Sequence, residues 1–259
     1  MTSQRKPVVI VTGASKGIGL AVTRILLESL GSIVVAISRT RTPEIVQLLK
    51  THASTFFSIE CSVTDTTGLT QAIESVQKAH KHIDGLILNA GVMEPLGRID
   101  SADVDSWKSH FDVNFFSLLT ALKTCLPALR KSEFGGKIVF VSSGAAVGGT
   151  AAWGAYNASK AAMNSLCRTL AQEEPDVVSI ALRPGMVDTG MQETLRSTGA
   201  AHMKEQDHAR FTEAYSSGKL VKPEDSGHVI AALAVKADKS LSGQFVSWDS
   251  EQCADYRRT

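Results

Sequence analysis

The stretch VVIVTGASKGIGLAV, residues 8–22, decides the fold of this 259-residue chain. Its first five residues are apolar or β-branched without alternation, which predicts a short strand buried on both faces, as in a parallel sheet. Glycines follow at positions 13, 17 and 19, and the apolar residues after them predict a helix that begins near residue 17. A strand that runs through a glycine-rich turn into a helix is the first half of a βαβ unit.

The three glycines have the spacing TGxxxGxG. Glycine lets the backbone turn tightly and approach a pyrophosphate, and the free N–H groups at the start of the helix favour an anion. A purely structural tight turn is the alternative interpretation. We expect the loop to bind a dinucleotide through Gly13, Ser15, Lys16, Gly17, Ile18 and Gly19.

The same alternation of strand and helix continues along nearly the whole chain. Strands are predicted at residues 8–12, 33–38, 56–60, 84–89, 137–142, 177–182 and 244–248, and helices near 17–30, 42–53, 65–81, 103–131, 156–173 and 224–236. Such alternation predicts one α/β domain over residues 1–259, with a Rossmann-type, doubly wound parallel sheet of about seven strands. The polar segment 190–220 has no clear strand, and we interpret it as a helical lid over the substrate site.

Composition excludes several classes of function. The formal net charge of +1 gives no field for nucleic acid or a membrane surface. The apolar run at the N-terminus is too short for a signal peptide or a membrane span, so a cytoplasmic protein is expected. The four cysteines are scattered without a CxxC pair, which favours reduced thiols over disulfides or a metal site. No two of the seven histidines have ligand spacing, so no metal is expected.

The end of the second predicted strand indicates which dinucleotide is bound. Many dinucleotide folds place an acidic residue about 20 residues after the glycines, where it binds the ribose 2′-hydroxyl. Here the sequence is Ser38-Arg39, and Lys16 lies in the glycine loop. Two cations without an acid favour a 2′-phosphate, which predicts NADPH rather than NADH. The alternative is that Arg39 and Arg41 are solvated loop charges.

Further motifs follow the later strands in order. LNAG closes the fourth strand, VNFF lies in the long fourth helix, VSSGA closes the fifth strand, YNASK opens the next helix, and RPGMVDT follows the sixth strand. Together with TGxxxGxG, this ordered set resembles the short-chain dehydrogenase/reductase family over about the whole chain. Any one of these motifs alone would be a weak signal.

The resemblance implies a catalytic set. Tyr156 would donate a proton to a substrate carbonyl, and Ser143 would hold and polarise that carbonyl. Lys160 would bind the nicotinamide ribose and lower the pKa of the tyrosine, because a nearby cation favours phenolate over a phenol that normally titrates near about 10. Asn114 would anchor a water that connects Lys160 to solvent.

The resemblance also implies further contacts with the cofactor. The residues after the fourth and sixth strands would line its path, with the latter against the nicotinamide. Ser62 stands where the family often has an aspartate that binds adenine. The residues after the fourth strand are Asn89, Ala90 and Gly91, and those after the sixth strand are Pro184, Gly185, Val187 and Thr189.

Each of the catalytic residues also has a plain alternative. A tyrosine and a lysine four residues apart share one helix face and commonly form a packed ring beside a solvated amine. Ser142 and Ser143 could both be turn residues, although the thirteen-residue spacing to Tyr156 favours Ser143. Asn114 alone would more often make a local helix bond.

Finer strings indicate the substrate. NAGVMEP, DVNFFS, EEP and PGMVDTGMQ resemble the fungal benzil reductases, a subgroup related to sepiapterin reductase. This implies NADPH-dependent reduction of one carbonyl of a 1,2-diketone to an α-hydroxyketone. Sepiapterin reductases keep an aspartate in the last strand region to hold the pterin. Here Ser247 aligns there, although a slip of two residues would bring in Asp249.

Three expectations concern the wider protein. Adaptable methionine and aromatic side chains suit flat apolar ketones, so Met93, Trp153, Met186 and Met191 are candidate pocket walls, or fill core gaps instead. A pterin, ketone or aldehyde reductase and a non-catalytic NADPH-binding regulator are the alternative functions. The family resemblance also implies a homodimer or homotetramer.

Overall fold

One parallel sheet organises the computed structural model, which describes residues 5–258. Within these residues seven strands lie in the order β3-β2-β1-β4-β5-β6-β7, and every neighbouring pair is parallel. The strands are β1 Val8–Thr12, β2 Ile33–Ser38, β3 Phe56–Glu60, β4 Gly85–Leu88, β5 Lys137–Val141, β6 Val178–Arg183 and β7 Phe245–Ser247. This order confirms the predicted doubly wound α/β fold.

Helices cover both faces of the sheet. They are α1 Gly17–Glu28, α2 Pro43–Thr51, α3 Thr66–His80, α4 Val104–Phe111, α5 Ser117–Leu129, α6 Gly154–Glu173, α7 Gly190–Thr198, α8 Glu205–Ser216 and α9 Pro223–Lys236. Val9 and Val11 of β1 pack in one core with α1 and α9, whereas Val8 and Ile10 pack in a second core with α3, α5 and α6. Burial on both faces explains why β1 is apolar without alternation.

The long fourth helix differs from the prediction. Instead of one helix over 103–131, the chain forms α4, a π-helical turn at Asp112–Phe116, and α5. The π-turn contains Asn114, whose side chain is fully buried. Single π-turns inside α-helices are frequent at functional sites, and hydrophobic periodicity gives no signal for them. Pro127 lies in the last turn of α5.

The segment 190–220 contains α7, a short 3₁₀ turn and α8, and both helices have residues beside the loops that follow the strands. Leu195 and Phe211 from this segment pack with Met93 and Trp153 in a third, smaller apolar cluster. The two helices therefore form one wall of the space at the carboxyl ends of the strands.

Candidate active site

A cavity of about 630 Å³ opens where β1 to β6 end. Ligands of open α/β sheets bind at this edge, because the strand order reverses there and the loops diverge. The predicted cofactor residues that line it come from five loops and two helices. They are Gly13, Ser15, Lys16, Gly17, Ile18, Arg39, Ser62, Asn89, Ala90, Gly91, Tyr156, Lys160, Pro184, Gly185, Val187 and Thr189.

Two of the three loop glycines face the cavity with backbone conformations that only glycine adopts readily. Gly13 has φ +66° and Gly17 has φ +53°. A Cβ on Gly13 would lie 2.8 Å from Cα of Ala90, so the loop must pass close to the end of β4.

Gly19 does not belong to the residues that line the cavity, and its contact with a cofactor stays a prediction. A Cβ at this position would lie 2.2 Å from the carbonyl oxygen of Gly13 and 2.6 Å from Nδ2 of Asn89. Its role is to let α1 pack closely against the loop, because no side chain fits between them.

The ends of β1 and β4 hold the loop in place. The Asn89 amide donates to the carbonyl oxygens of Thr12 and Gly13 at 3.0 and 3.1 Å. The Thr12 hydroxyl accepts from the backbone N–H of Asn89 and Ala90. The sequence analysis did not predict this role of Thr12, because a threonine at the end of a strand looks like any other β-branched strand residue.

The cations expected near the ribose differ in their partners. Arg41 forms an ion pair with Glu60 at 3.2 Å and donates to the Ser58 carbonyl. Arg39 lines the cavity, is exposed, and has no hydrogen bond or ion pair with another residue of the described part of the chain. Of Arg39 and Arg41, Arg39 is therefore the one whose guanidinium is free to meet an anion.

The groups around this half of the cavity fit a phosphate-bearing dinucleotide. The first turn of α1 has no side-chain cap, so its N–H groups stay open toward the cavity. Lys16 and Arg39 add positive charge, and no aspartate or glutamate belongs to the residues that line this cavity within 5–258. Ser62, in place of an aspartate, bonds to Thr64 at 2.8 Å.

Tyr156 and Lys160 lie one turn apart on α6 and are both buried, with exposed fractions of 7% and 4%. The Lys160 ammonium donates to the carbonyl oxygen of Val141 at 2.8 Å and lies 5.6 Å from the centroid of the Tyr156 ring. Burial lowers the pKa of Lys160 to about 8. Burial raises the pKa of Tyr156, and the nearby Ser143 hydroxyl opposes that rise. The burial of the Lys160 ammonium excludes the alternative of a packed ring beside a solvated amine.

The two serines after β5 have different surroundings. Ser142 is buried and donates to Oδ1 of Asn164 at 2.6 Å, so its side chain ties β5 to α6. Ser143 lines the cavity, and its oxygen accepts from the backbone N–H of Ala145 at 3.2 Å. The hydroxyl proton of Ser143 remains available to a ligand.

Asn114 lies behind the cavity rather than in its wall. Its Oδ1 accepts from the backbone N–H of Val92 at 2.8 Å, and its Nδ2 donates to the Val92 carbonyl at 2.9 Å. A Cβ built on Gly91 would lie 3.4 Å from Oδ1 of Asn114 and 3.8 Å from Nζ of Lys160, so Gly91 lies between them. Protein groups engage the side-chain amide, and its role toward water stays a prediction.

The other half of the cavity is mostly apolar. Met93, Trp153, Met186 and Met191 line it, as the sequence led us to expect. The Trp153 ring packs edge-on to Tyr156, with centroids 5.9 Å apart, and against Phe211 of α8 at 5.4 Å. Sequence reasoning missed Gln192, Leu195, Arg210 and Phe211, because nothing in the local pattern of α7 and α8 shows which residues face the sheet.

Two further features bear on function. In the described residues no three His, Cys, Asp or Glu side chains come together as a metal site, and all four cysteines are free. Among residues 5–258 no helix has both the length and the apolar character needed to cross a membrane.

Comparison with known proteins supports the same conclusion as the geometry. The family model for short chain dehydrogenase matches residues 7–200. An uncharacterized oxidoreductase of Schizosaccharomyces pombe, C30D10.05c, is 42% identical, with 96% of this chain and 99% of the relative covered. The benzil reductase ((S)-benzoin forming) IRC24 of Saccharomyces cerevisiae is 37% identical, with 95% and 97% covered.

A solved structure extends the likeness to three dimensions. The crystal structure of YIR035C, a short chain dehydrogenase/reductase from Saccharomyces cerevisiae, superimposes with a TM-score of 0.92 at 34% identity. The alignment covers 97% of this chain and all of that one. From the ordered motifs, the parallel sheet and these relatives together, the chain belongs to the short-chain dehydrogenase/reductase family of nicotinamide-nucleotide oxidoreductases.

Proposed function

We propose that the protein is an NADPH-dependent carbonyl reductase that reduces one carbonyl of a 1,2-diketone to an α-hydroxyketone. One observation carries the proposal: Tyr156 and Ser143 line the same cavity as the cations Lys16 and Arg39, and the Tyr156 ring packs against Trp153 of the apolar wall. A ketone in that pocket would meet a proton donor and a hydroxyl donor at one oxygen.

Arg39 and Lys16 support NADPH over NADH. Lys16 lines the cavity from the loop after β1 and Arg39 from the loop after β2, and Arg39 has no partner within residues 5–258. A guanidinium forms strong, charge-assisted hydrogen bonds with the 2′-phosphate of NADPH, whereas the 2′-hydroxyl of NADH offers only a weaker, uncharged hydrogen bond.

The bound nicotinamide would supply a hydride to the carbonyl carbon. Tyr156 would give its proton to the carbonyl oxygen, and burial, which raises its pKa, keeps the hydroxyl protonated until that moment. Ser143 would donate a hydrogen bond to the same oxygen, where negative charge develops. The Lys160 ammonium, fixed by the Val141 carbonyl, would stabilise the phenolate that remains.

The pocket and the relatives support a diketone of benzil type. The methionine and tryptophan walls suit flat apolar groups, since thioethers adapt to irregular aromatic surfaces. A relative 37% identical to this chain bears the name benzil reductase ((S)-benzoin forming).

A pterin substrate has less support. Ser247 donates to Asp249 at 2.5 Å, and neither residue belongs to the cavity lining within the described chain. The carboxylate that could anchor a pterin therefore lies outside this pocket. We also propose that α7 and α8 act as the lid, because they supply one apolar wall of the pocket.

The cytoplasmic location and the oligomeric state stay predictions. Phe116 at the end of the π-turn and Leu119 in α5 are exposed, and a homodimer or homotetramer would cover them.

The substrate class is tested by following NADPH oxidation by the purified protein with benzil, sepiapterin and a simple aldehyde. The proposal expects benzil to give the highest kcat/KM and benzoin to be the product. Faster turnover of sepiapterin would replace the diketone assignment by a pterin one. Tight NADPH binding without turnover of any dicarbonyl would instead indicate the non-catalytic regulator.

A further inference from the structure

His110 is a buried histidine beside the active site whose function no sequence motif indicated. It lies near the C-terminal end of α4, has an exposed fraction of 2%, and its ring centroid is 6.2 Å from that of Tyr156 in an edge-on arrangement. A histidine with both ring nitrogens engaged in a protein interior has a defined tautomer, because each partner fixes what its nitrogen can do.

The partners of the ring assign that tautomer. Nδ1 lies 2.6 Å from the carbonyl oxygen of Glu94, which can only accept, so Nδ1 carries the proton. Nε2 lies 2.9 Å from Nδ2 of Asn114. The orientation of the Asn114 amide is fixed by its two bonds to the Val92 backbone, so its second N–H points at Nε2. Nε2 must therefore be an acceptor, and His110 is the neutral Nδ1–H imidazole.

The same nitrogen reaches the catalytic helix. Nε2 lies 2.9 Å from the hydroxyl oxygen of Ser159, and the carbonyl oxygen of Tyr156 lies 3.0 Å from the same hydroxyl. The hydroxyl has one proton, so with Nε2 unprotonated the bond between the two side chains requires Ser159 to donate to Nε2. Ser159 is fully buried between Tyr156 and Lys160 on α6. One imidazole thus joins three elements: the loop after β4, the π-turn and α6.

We propose that His110 is a positioning residue for the reaction. As the neutral Nδ1–H imidazole it accepts hydrogen bonds from Asn114 and Ser159. These bonds fix the positions of Tyr156 and Lys160 in the cavity. A second proton on Nε2 would place a donor against the Asn114 donor and a second cation beside Lys160, and the junction of the three elements would come apart. The proposal rests on the proposed reductase function for its kinetic consequences, but not for the tautomer.

The surroundings set the direction of the pH effect. Burial lowers the pKa of His110 most, the Lys160 charge on α6 lowers it further, and the Glu94 carbonyl and carboxylate oppose these effects. The imidazole is therefore neutral at pH 7 and gains its proton only below its ordinary value of about 6.5. Activity that needs neutral His110 is present at neutral pH and is lost as the pH falls through that lower range.

The kinetic test compares His110→Phe and His110→Gln with wild type, by kcat for benzil between pH 5 and 8. We expect His110→Phe to lower kcat at pH 7.5 by about tenfold or more, since small misplacement of reacting groups is costly. The amide of His110→Gln can still accept from Asn114, so it should recover part of that loss. Both variants should lack the decline that wild type shows at acid pH.

His228→Gln is the matched control. His228 is half-buried on α9, bonds the Tyr256 carbonyl through Nδ1 at 2.9 Å, and does not line the cavity. This variant should keep the acid decline of wild type. A wild-type kcat in His110→Phe, or an unchanged acid decline in either His110 variant, would overturn the proposal.

A measurement on the wild-type protein decides the tautomer without any mutant having to fold fully. Long-range ¹⁵N–¹H spectra of ¹⁵N-histidine-labelled protein should show Nδ1 of His110 protonated and Nε2 unprotonated at pH 7.5. The opposite pattern, or a doubly protonated ring at that pH, would contradict the proposal. If no carbonyl compound is reduced, the proposed function fails, while this spectrum still tests the His110 assignment.

Discussion

The Lys160 ammonium lies 5.6 Å from the centre of the Tyr156 ring and is held by the Val141 carbonyl at 2.8 Å. Burial acts on the two side chains in opposite directions, because it disfavours the charged form of each. The pKa of the tyrosine rises and that of the lysine falls to about 8. Both groups that would take part in the proton transfer therefore lose their proton above neutral pH, and Lys160 does so at a lower pH than Tyr156.

This order predicts the alkaline limb of the pH profile. Lys160 is charged below about pH 8 and loses its charge as the pH rises through that value, so kcat for benzil reduction should decline there. Lys160→Arg keeps a permanent charge, and its lower kcat should stay flat across the same range. Steady-state rates from pH 6 to 10 measure both, and an identical alkaline limb in the arginine variant would assign that limb to another group.

Arg39 should set the cofactor preference. Arg39→Asp removes a cation and adds an anion, so we expect the NADPH/NADH ratio of kcat/KM to fall by about tenfold to a hundredfold, as for the loss of a charged hydrogen bond. Arg41→Asp is the matched control, because Arg41 is already paired with Glu60. A preference of the wild-type protein for NADH would show that Arg39 does not select for a 2′-phosphate. An equal fall of the ratio in both variants would show that Arg39 contributes no more to the preference than Arg41 does.

Gly19 should be intolerant of any side chain. In Gly19→Ala the new Cβ would lie 2.2 Å from the Gly13 carbonyl oxygen, so α1 must move away from the loop. We expect a loss of about 1–3 kcal/mol in the free energy of unfolding and much weaker NADPH binding. Gly97→Ala, where nothing lies within 4 Å of the new Cβ, is the control. Thermal melts with and without NADPH measure the difference, and equal melts for the two variants would contradict this packing role.

Phe211 should affect the binding of the substrate more than the rate of the chemical step. Its ring packs on Trp153 at 5.4 Å, so Phe211→Ala opens the apolar wall without touching Tyr156 or Ser143. The expected result is a KM for benzil raised by about tenfold, the value of one good aromatic contact, with kcat changed less. Glu213→Ala, an exposed position of α8, is the control. A large fall in kcat at constant KM would indicate that α8 does not line the bound substrate.

The sequence predicts the layers of this fold well, because its information is local there. The run at Val8–Thr12 and its six counterparts carry the strand signal in consecutive residues, and the glycine loop carries its backbone requirement in Gly13 and Gly17. The order of the strands confirms the inference from alternating elements.

What the sequence did not predict depends on contacts between distant elements. The π-turn around Asn114 has an ordinary helical pattern, and it becomes visible only once Val92 meets the amide. The packing role of Gly19 becomes visible only once the Gly13 carbonyl and Asn89 are seen beside it. His110 gives no signal alone, since two of its three partners lie 16 and 49 residues away along the chain.

The most direct test of the central claim is Tyr156→Phe, with NADPH affinity and benzil turnover measured on the same preparation. Tyr256→Phe serves as the control, because its hydroxyl accepts from Asp238 outside the cavity. The phenyl ring keeps the contacts with Trp153 and His110, so we expect the Kd for NADPH to stay within about twofold and kcat to fall by about a hundredfold or more, as for loss of a general acid. A kcat within about threefold of wild type at unchanged NADPH affinity would contradict Tyr156 as the proton donor.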